Sequence, residues 1–130
     1  LHPDVAIALD VTTSMDTPMD KGINGLGKGV VLSVMDAGII ANKNFIAKME
    51  EICKDLDLDI NYDMMTCGGT DADNIHKAHD GVVTMTLSIP TRYMTSHRLI
   101  IHRKDYWQTV LLMAEFARRL DNELLQILKG

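Results

Sequence analysis

Asp10 follows an unbroken apolar run, Val5-Ala6-Ile7-Ala8-Leu9, and precedes Val11-Thr12-Thr13. Open α/β sheets bind ligands just beyond the carboxyl ends of buried strands. A carboxylate there suits gripping a divalent cation or moving a proton. Aspartate also opens turns, so position alone leaves the ligand and turn readings level. In the same segment, Asp16 either pairs with a loop cation or is solvated. Arg92 offers a planar fork that holds a carboxylate through two bonds, or it braces its loop. Gly68 and Gly69 precede Thr70 and Asp71. They shape a substrate pocket or make a tight turn, with Thr70 or Asp71 capping the next helix. For Asp71 capping is the preferred reading. His76 and His79 have a spacing compatible with a shared metal, although a solvated helix face is preferred. His97 and His102 flank the apolar Leu99-Ile100-Ile101 and read as structural.

Four segments carry more polar residues and glycine than packing needs: 8–18 (ALDVTTSMDTP), 26–29 (LGKG), 68–72 (GGTDA) and 89–97 (IPTRYMTSH). All but 26–29 fall at the expected carboxyl end of a strand or in the loop after it. The expectation is convergence on one rim of a sheet.

The elements that must position them follow from periodicity. The first apolar run reads as a strand buried on both faces. A polar stretch from Thr12 to Gly29 leads to a second buried strand, Val30–Met35. Asn42 or Asn44 caps a helix reaching about Asp57, with Phe45, Ile46, Met49, Ile52, Cys53 and Leu56 on one face. Ile60, Tyr62 and Met64 alternate as a third strand, and a short helix runs from the glycine turn to near Gly81. Val83, Met85, Leu87 and Ile89 alternate as a fourth strand, closed by Pro90. Tyr106, Val110, Met113, Ala117, Leu120, Leu124 and Ile127 form the stripe of one long final helix. The class is α/β, with a mainly parallel or mixed sheet flanked by helices.

At 130 residues and 46% apolar content the chain supports one core. Its net charge of −5, without a basic run, argues against nucleic acid. No stretch approaches a membrane span and no signal peptide is visible. Cys53 and Cys67 read as reduced thiols of an intracellular protein, Cys53 within the core stripe. The chain begins at Leu1, directly before the first strand, and is expected to be the carboxyl-terminal part of a longer protein.

The four segments, in this order, resemble the tetrahedral, or TET-type, metallo-aminopeptidases, which include glutamyl and deblocking aminopeptidases and some proteins once labelled endoglucanases. The resemblance spans nearly the whole chain. It implies the carboxyl-terminal portion of a three-layer α-β-α catalytic domain, with an inserted barrel-like domain and the amino-terminal part outside these residues. It also implies a cytoplasmic enzyme that removes amino-terminal residues from peptides with two divalent ions, zinc or cobalt, and that assembles from dimers into a hollow dodecamer. Asp10 matches the aspartate that ligates one metal. Gly68, Gly69, Asp71 and Arg92 become substrate-pocket candidates. The family's general-base glutamate, first metal histidine and bridging aspartate lie upstream of the matched residues.

One departure falls inside the chain. The family has a histidine ligand in an Arg-Tyr-x-His-Ser segment, and here the residues read Arg92-Tyr93-Met94-Thr95-Ser96. A neutral hydroxyl is a poor zinc ligand beside imidazole. His97 lies two residues on, about 6–7 Å in extended chain, and would substitute only if the loop slid. The leading expectation is therefore a fragment of a dinuclear metallo-aminopeptidase, inactive alone. A second is a catalytically degenerate relative serving as a binding or assembly subunit, which Thr95 favours. A glycoside hydrolase using Asp10 and Asp16 ranks last, because sugar-stacking aromatic residues are scarce at 5%.

Overall fold

The computed structural model describes residues 1–130. In chain order the elements are β1 (Val5–Thr13), β2 (Val30–Met35), α1 (Lys43–Asp55), β3 (Ile60–Met64), α2 (Ala72–Ile75), β4 (Val83–Arg92), β5 (Ile100–Ile101), α3 (Arg103–Arg119) and α4 (Asn122–Lys129). The strands form one mixed sheet in the order β1-β4-β2-β3, with the short β5 also on β4. Strand β1 runs parallel to β4, and β3 parallel to β2, but β2 is antiparallel to β4. No helix is long and apolar enough to cross a membrane.

The alternation along β4 divides the sheet into two chemically different faces. Met85 and Leu87 join Val30 and Leu32 of β2 in a core closed by α1, α3 and α4. Helix α1 starts as its sequence dictates: Asn42 Oδ1 accepts the Asn44 and Phe45 amides at 2.9 and 3.1 Å. It delivers Phe45, Met49, Ile52 and Cys53 to the core, where the Phe45 ring stacks on Phe116. Burial, followed by the nearby Glu50 charge, pushes the Cys53 thiol up to about 11. The cysteines are unpaired, Cys53 buried and Cys67 exposed. The opposite face carries Ala8, Asp10 and Thr12 in register with Thr86, Ser88 and Pro90, and it is covered in part by α2 and the glycine turn before it.

Several sequence expectations change. Strand β1 does not end at Asp10, and it is not buried on both faces. It continues to Thr13 and pairs only with β4, so Leu9 is 55% exposed and Asp10 is exposed as well. Pro90 does not close β4. The Thr91 carbonyl turns toward β1, where it accepts the Ser14 amide, so position 90 turns its backbone nitrogen the other way. That nitrogen falls between the β2 ladder at 86–88 and the β5 ladder at 91–92, where no amide is needed. Helix α2 stops at Ile75 rather than near Gly81.

The long final helix is two helices. Leu120 is extended, and Asp121 restarts the chain by accepting the Leu124 amide at 2.8 Å. The buried stripe of α3 is Asp105, Thr109, Leu112 and Phe116, while Tyr106, Val110, Ala117 and Leu120 are exposed. A second apolar stripe, displaced around the helix, misled the periodicity argument. What fixes the true face is the aspartate at its head.

Candidate functional site

Asp105 is fully buried and accepts two backbone amides, Gly27 and Gly29, each at 2.8 Å. Both glycines have positive φ, and a Cβ on Gly29 would meet the Asp59 carbonyl at 2.1 Å. The segment 26–29 is thus an anchor that ties the entry of β2 to the first turn of α3.

The convergence on one rim is only half realised, and the antiparallel β2 is the reason. The carboxyl ends of β1 and β4 share a rim with the amino end of β2, so residues 14–18 and 92–95 meet there beside 26–29. The carboxyl ends of β2 and β3 point to the other rim and take residues 68–72 with them. Gly68, Gly69 and Asp71 therefore do not share a pocket with Arg92.

At the first rim Asp16 is the hub. Arg92 donates from Nε to Oδ1 at 3.0 Å and from Nη2 to Oδ2 at 2.9 Å. The Leu26 amide and the Ser14 hydroxyl complete the shell. The Arg92 bonds hold the Asp16 carboxyl far below the usual carboxylate range, against a smaller opposing effect of burial and with help from Ser14 and Leu26. Arg92 is raised by the same contact. These bonds hold Asp16 as an anion that braces the rim.

Beyond Arg92 the chain turns sharply: Tyr93 and Thr95 both have positive φ, 60° and 61°. A β-branched residue rarely adopts that conformation. The Thr95 hydroxyl donates to the Met94 carbonyl at 2.6 Å, and Ser96 closes the turn onto the Tyr93 carbonyl at 2.7 Å. His97 is exposed just beyond it. Around this turn opens a cavity of about 670 Å³, lined among others by Thr13, Asp16, Met19, Asp20, Arg92 and Thr95.

Asp10 sits three residues before the end of β1, on the polar face. Its Oδ1 accepts the Val11 amide at 2.7 Å, and the side chain is otherwise exposed. Its partner Ser88 reaches the Ser33 hydroxyl at 3.3 Å, and Thr86, the next residue along that face, meets the Thr70 hydroxyl at 2.8 Å. Asp10 thus lies toward the glycine turn on a shared face, although that turn enters from the opposite rim. One carboxylate with a free oxygen is suited to a cation. No group of three or more His, Cys, Asp or Glu side chains is placed to hold a metal ion.

The glycine turn is organised by a residue that sequence reasoning missed. Asp36, 6% exposed, accepts the Gly38 and Ile39 amides and both the amide and hydroxyl of Thr70, at 2.8–3.0 Å. Burial works to raise its carboxyl, but bonds from Gly38, Thr70 and Ile39 outweigh this and leave it lowered. The signal was Asp36-Ala37-Gly38, an aspartate opening a turn after an apolar strand. Asp71 does not cap α2: its own backbone is helical, and its side chain makes no cap bond. Gly68 needs its positive φ of 85°, and a Cβ on either Gly68 or Gly69 would meet nothing within 4 Å. Asp63 of β3 accepts the Thr12 hydroxyl, two residues from Asp10.

The histidine pair is no helix-borne pair. His76 ends α2 with Nδ1 2.9 Å from the Ala72 carbonyl oxygen, while His79 has φ 52° and packs on His2 at 3.9 Å between ring centroids. His102 is structural, capping α3 by accepting the Lys104 amide.

A family model described as M42 glutamyl aminopeptidase matches residues 1–112. A lysyl aminopeptidase of Pyrococcus furiosus is 35% identical over 92% of the chain. A glutamyl aminopeptidase of Lactococcus lactis is 31% identical over 99% of the chain. The chain spans about a third of the length of these curated relatives, 34% and 36%. The crystal structure of a TET aminopeptidase from the marine sediment archaeon Thaumarchaeota archaeon SCGC AB-539-E09 superposes with a TM-score of 0.92 at 31% identity, covering 97% of this chain and 36% of that one.

Proposed function

Because the chain belongs to the M42 glutamyl aminopeptidase family, we propose that it forms the carboxyl-terminal portion of the catalytic domain of a metallo-aminopeptidase, with the amino-terminal part and an inserted barrel-like domain outside residues 1–130. The reaction is hydrolysis of the amino-terminal peptide bond. The observation that carries this reading is Asp10, an exposed carboxylate on the polar face of the sheet, within the segment that resembles the family's metal-binding strand.

When bound, a pair of divalent ions, zinc or cobalt, supplies Lewis acidity toward the scissile carbonyl and activates water. Asp10 is the residue here that would hold one of them. The Val11 amide fixes the carboxylate through Oδ1 and leaves Oδ2 available. The Asp16–Arg92 pair holds the turn that carries Thr95 at the family's histidine position. Because no three-ligand group forms within these residues, the chain is inactive by itself on this reading. Gly68 and Gly69 leave open space at the polar face for an approaching peptide backbone.

On the same reading the protein is cytoplasmic and assembles with copies of itself. The exposed apolar stripe of Tyr106, Trp107, Val110 and Leu111 on α3 supports such contacts. The acidic balance supports the absence of a nucleic-acid partner.

One observation favours a second reading. The Thr95 hydroxyl is engaged by the Met94 carbonyl, as in a relative that has lost catalysis and serves in binding or assembly. Assaying the full-length, metal-supplemented protein on aminoacyl amides and on cellulose fragments separates the readings. Release of amino-terminal residues supports the peptidase. Sugar release without it overturns the assignment, and neither activity with no bound metal supports the degenerate relative.

A further inference from the structure

The cavity at the β1/β4 rim has a definite chemical character. Its volume, about 670 Å³, is within the usual range for small-ligand pockets. Three charged groups line it: Asp16, Arg92 and Asp20. Asp16 and Arg92 neutralise each other through two bonds. Asp20 has no ion-pair partner; its carboxylate accepts only the Thr17 hydroxyl at 3.2 Å. Lys21, next in sequence, neither pairs with it nor lines the cavity. One uncompensated negative charge therefore remains.

Beside it lie Pro18, Met19 and Met94. The Met94 sulfur accepts the Thr13 hydroxyl at 3.8 Å, which orients that thioether at the cavity wall. Thioethers adapt to flexible aliphatic chains. A lysine or arginine side chain combines such a chain with a cationic head. A glutamate side chain would set its charge against Asp20, and the only cation lining the cavity, Arg92, is already paired with Asp16.

We propose that this cavity receives the basic side chain of the substrate's amino-terminal residue, with Asp20 as the specificity-determining group. The inference rests on the peptidase reading and adds the substrate class to it. The aliphatic stem lies along Met94, and the ammonium or guanidinium donates to Asp20.

The test uses the full-length, metal-supplemented protein and the p-nitroanilides of lysine, leucine and glutamate. A charge-assisted bond of ordinary strength predicts kcat/KM for lysine about tenfold or more above glutamate. Asp20→Asn is then expected to lower the lysine-to-leucine ratio about tenfold, whereas loss of a merely structural residue would lower both rates together. A glutamate preference, or a ratio that Asp20→Asn leaves in place, overturns the inference while the peptidase reading stands. If no substrate is cleaved, the peptidase reading fails and calorimetric binding of lysinamide decides the cavity's role. Binding that Asp20→Asn weakens retains a cation site; no binding, or binding indifferent to the substitution, overturns it.

Discussion

Arg92 and Asp16 stand 76 positions apart and face each other through two parallel hydrogen bonds of 3.0 and 2.9 Å. The pair joins the end of β4 to the loop leaving β1, and Asp16 extends the tie to Leu26 before β2. Its folded carboxyl lies below the unfolded value of 3.8. A lowered carboxyl adds stability that is complete above the unfolded value and is lost as pH falls toward the folded one. The expected outcome is a melting temperature that drops between pH 5 and pH 2 more steeply in wild type than in Arg92→Met. Parallel pH curves would show that the pair adds nothing in solution, as many exposed ion pairs do.

Asp105 holds the amides of Gly27 and Gly29 in a fully buried position. Asp105→Ala leaves both amides unpaired, and urea unfolding is expected to show a loss of about 2–5 kcal/mol. Gly29→Ala is expected to destabilise through both its φ of 101° and the clash with the Asp59 carbonyl.

The corrected face of α3 has its own test. Leu112 is fully buried and Leu111 is 52% exposed. Leu112→Ala is expected to cost about 2–5 kcal/mol in chemical denaturation, and Leu111→Ala about 0.5 kcal/mol or less. Equal costs would show that the outer stripe is covered in the intact protein.

These contrasts mark how far the sequence could be read. Strand β2 and helix α1 were legible because their signals are local: an apolar run after glycines, and Asn42 ahead of a 3.6-residue stripe. Helix α3 was misread because two apolar stripes compete, and only the contact of Asp105 with residues 27 and 29 decides between them. The rim shared by residues 14–18 and 92–95 was anticipated. The departure of residues 68–72 was not, because strand direction depends on which neighbour β2 pairs with, and periodicity is the same in either direction. Asp16 and Arg92 were each legible as candidates, but their pairing is a long-range fact. Asp36 escaped because its partners, Gly38 and Thr70, are separated by 32 positions and are brought together only by the parallel β2–β3 pairing.

An acidic group partway along β1 is the proposed holder of a divalent ion. The direct measurement is metal content and affinity of the full-length protein, wild type against Asp10→Ala, by mass spectrometry and calorimetry, with circular dichroism to confirm an intact fold. Outer-shell substitutions alone cost about 10- to 100-fold in metal affinity, so loss of a direct ligand is expected to weaken binding by more than about 100-fold and to release at least one ion per subunit. A folded Asp10→Ala protein that retains its metal with unchanged affinity would contradict the assignment.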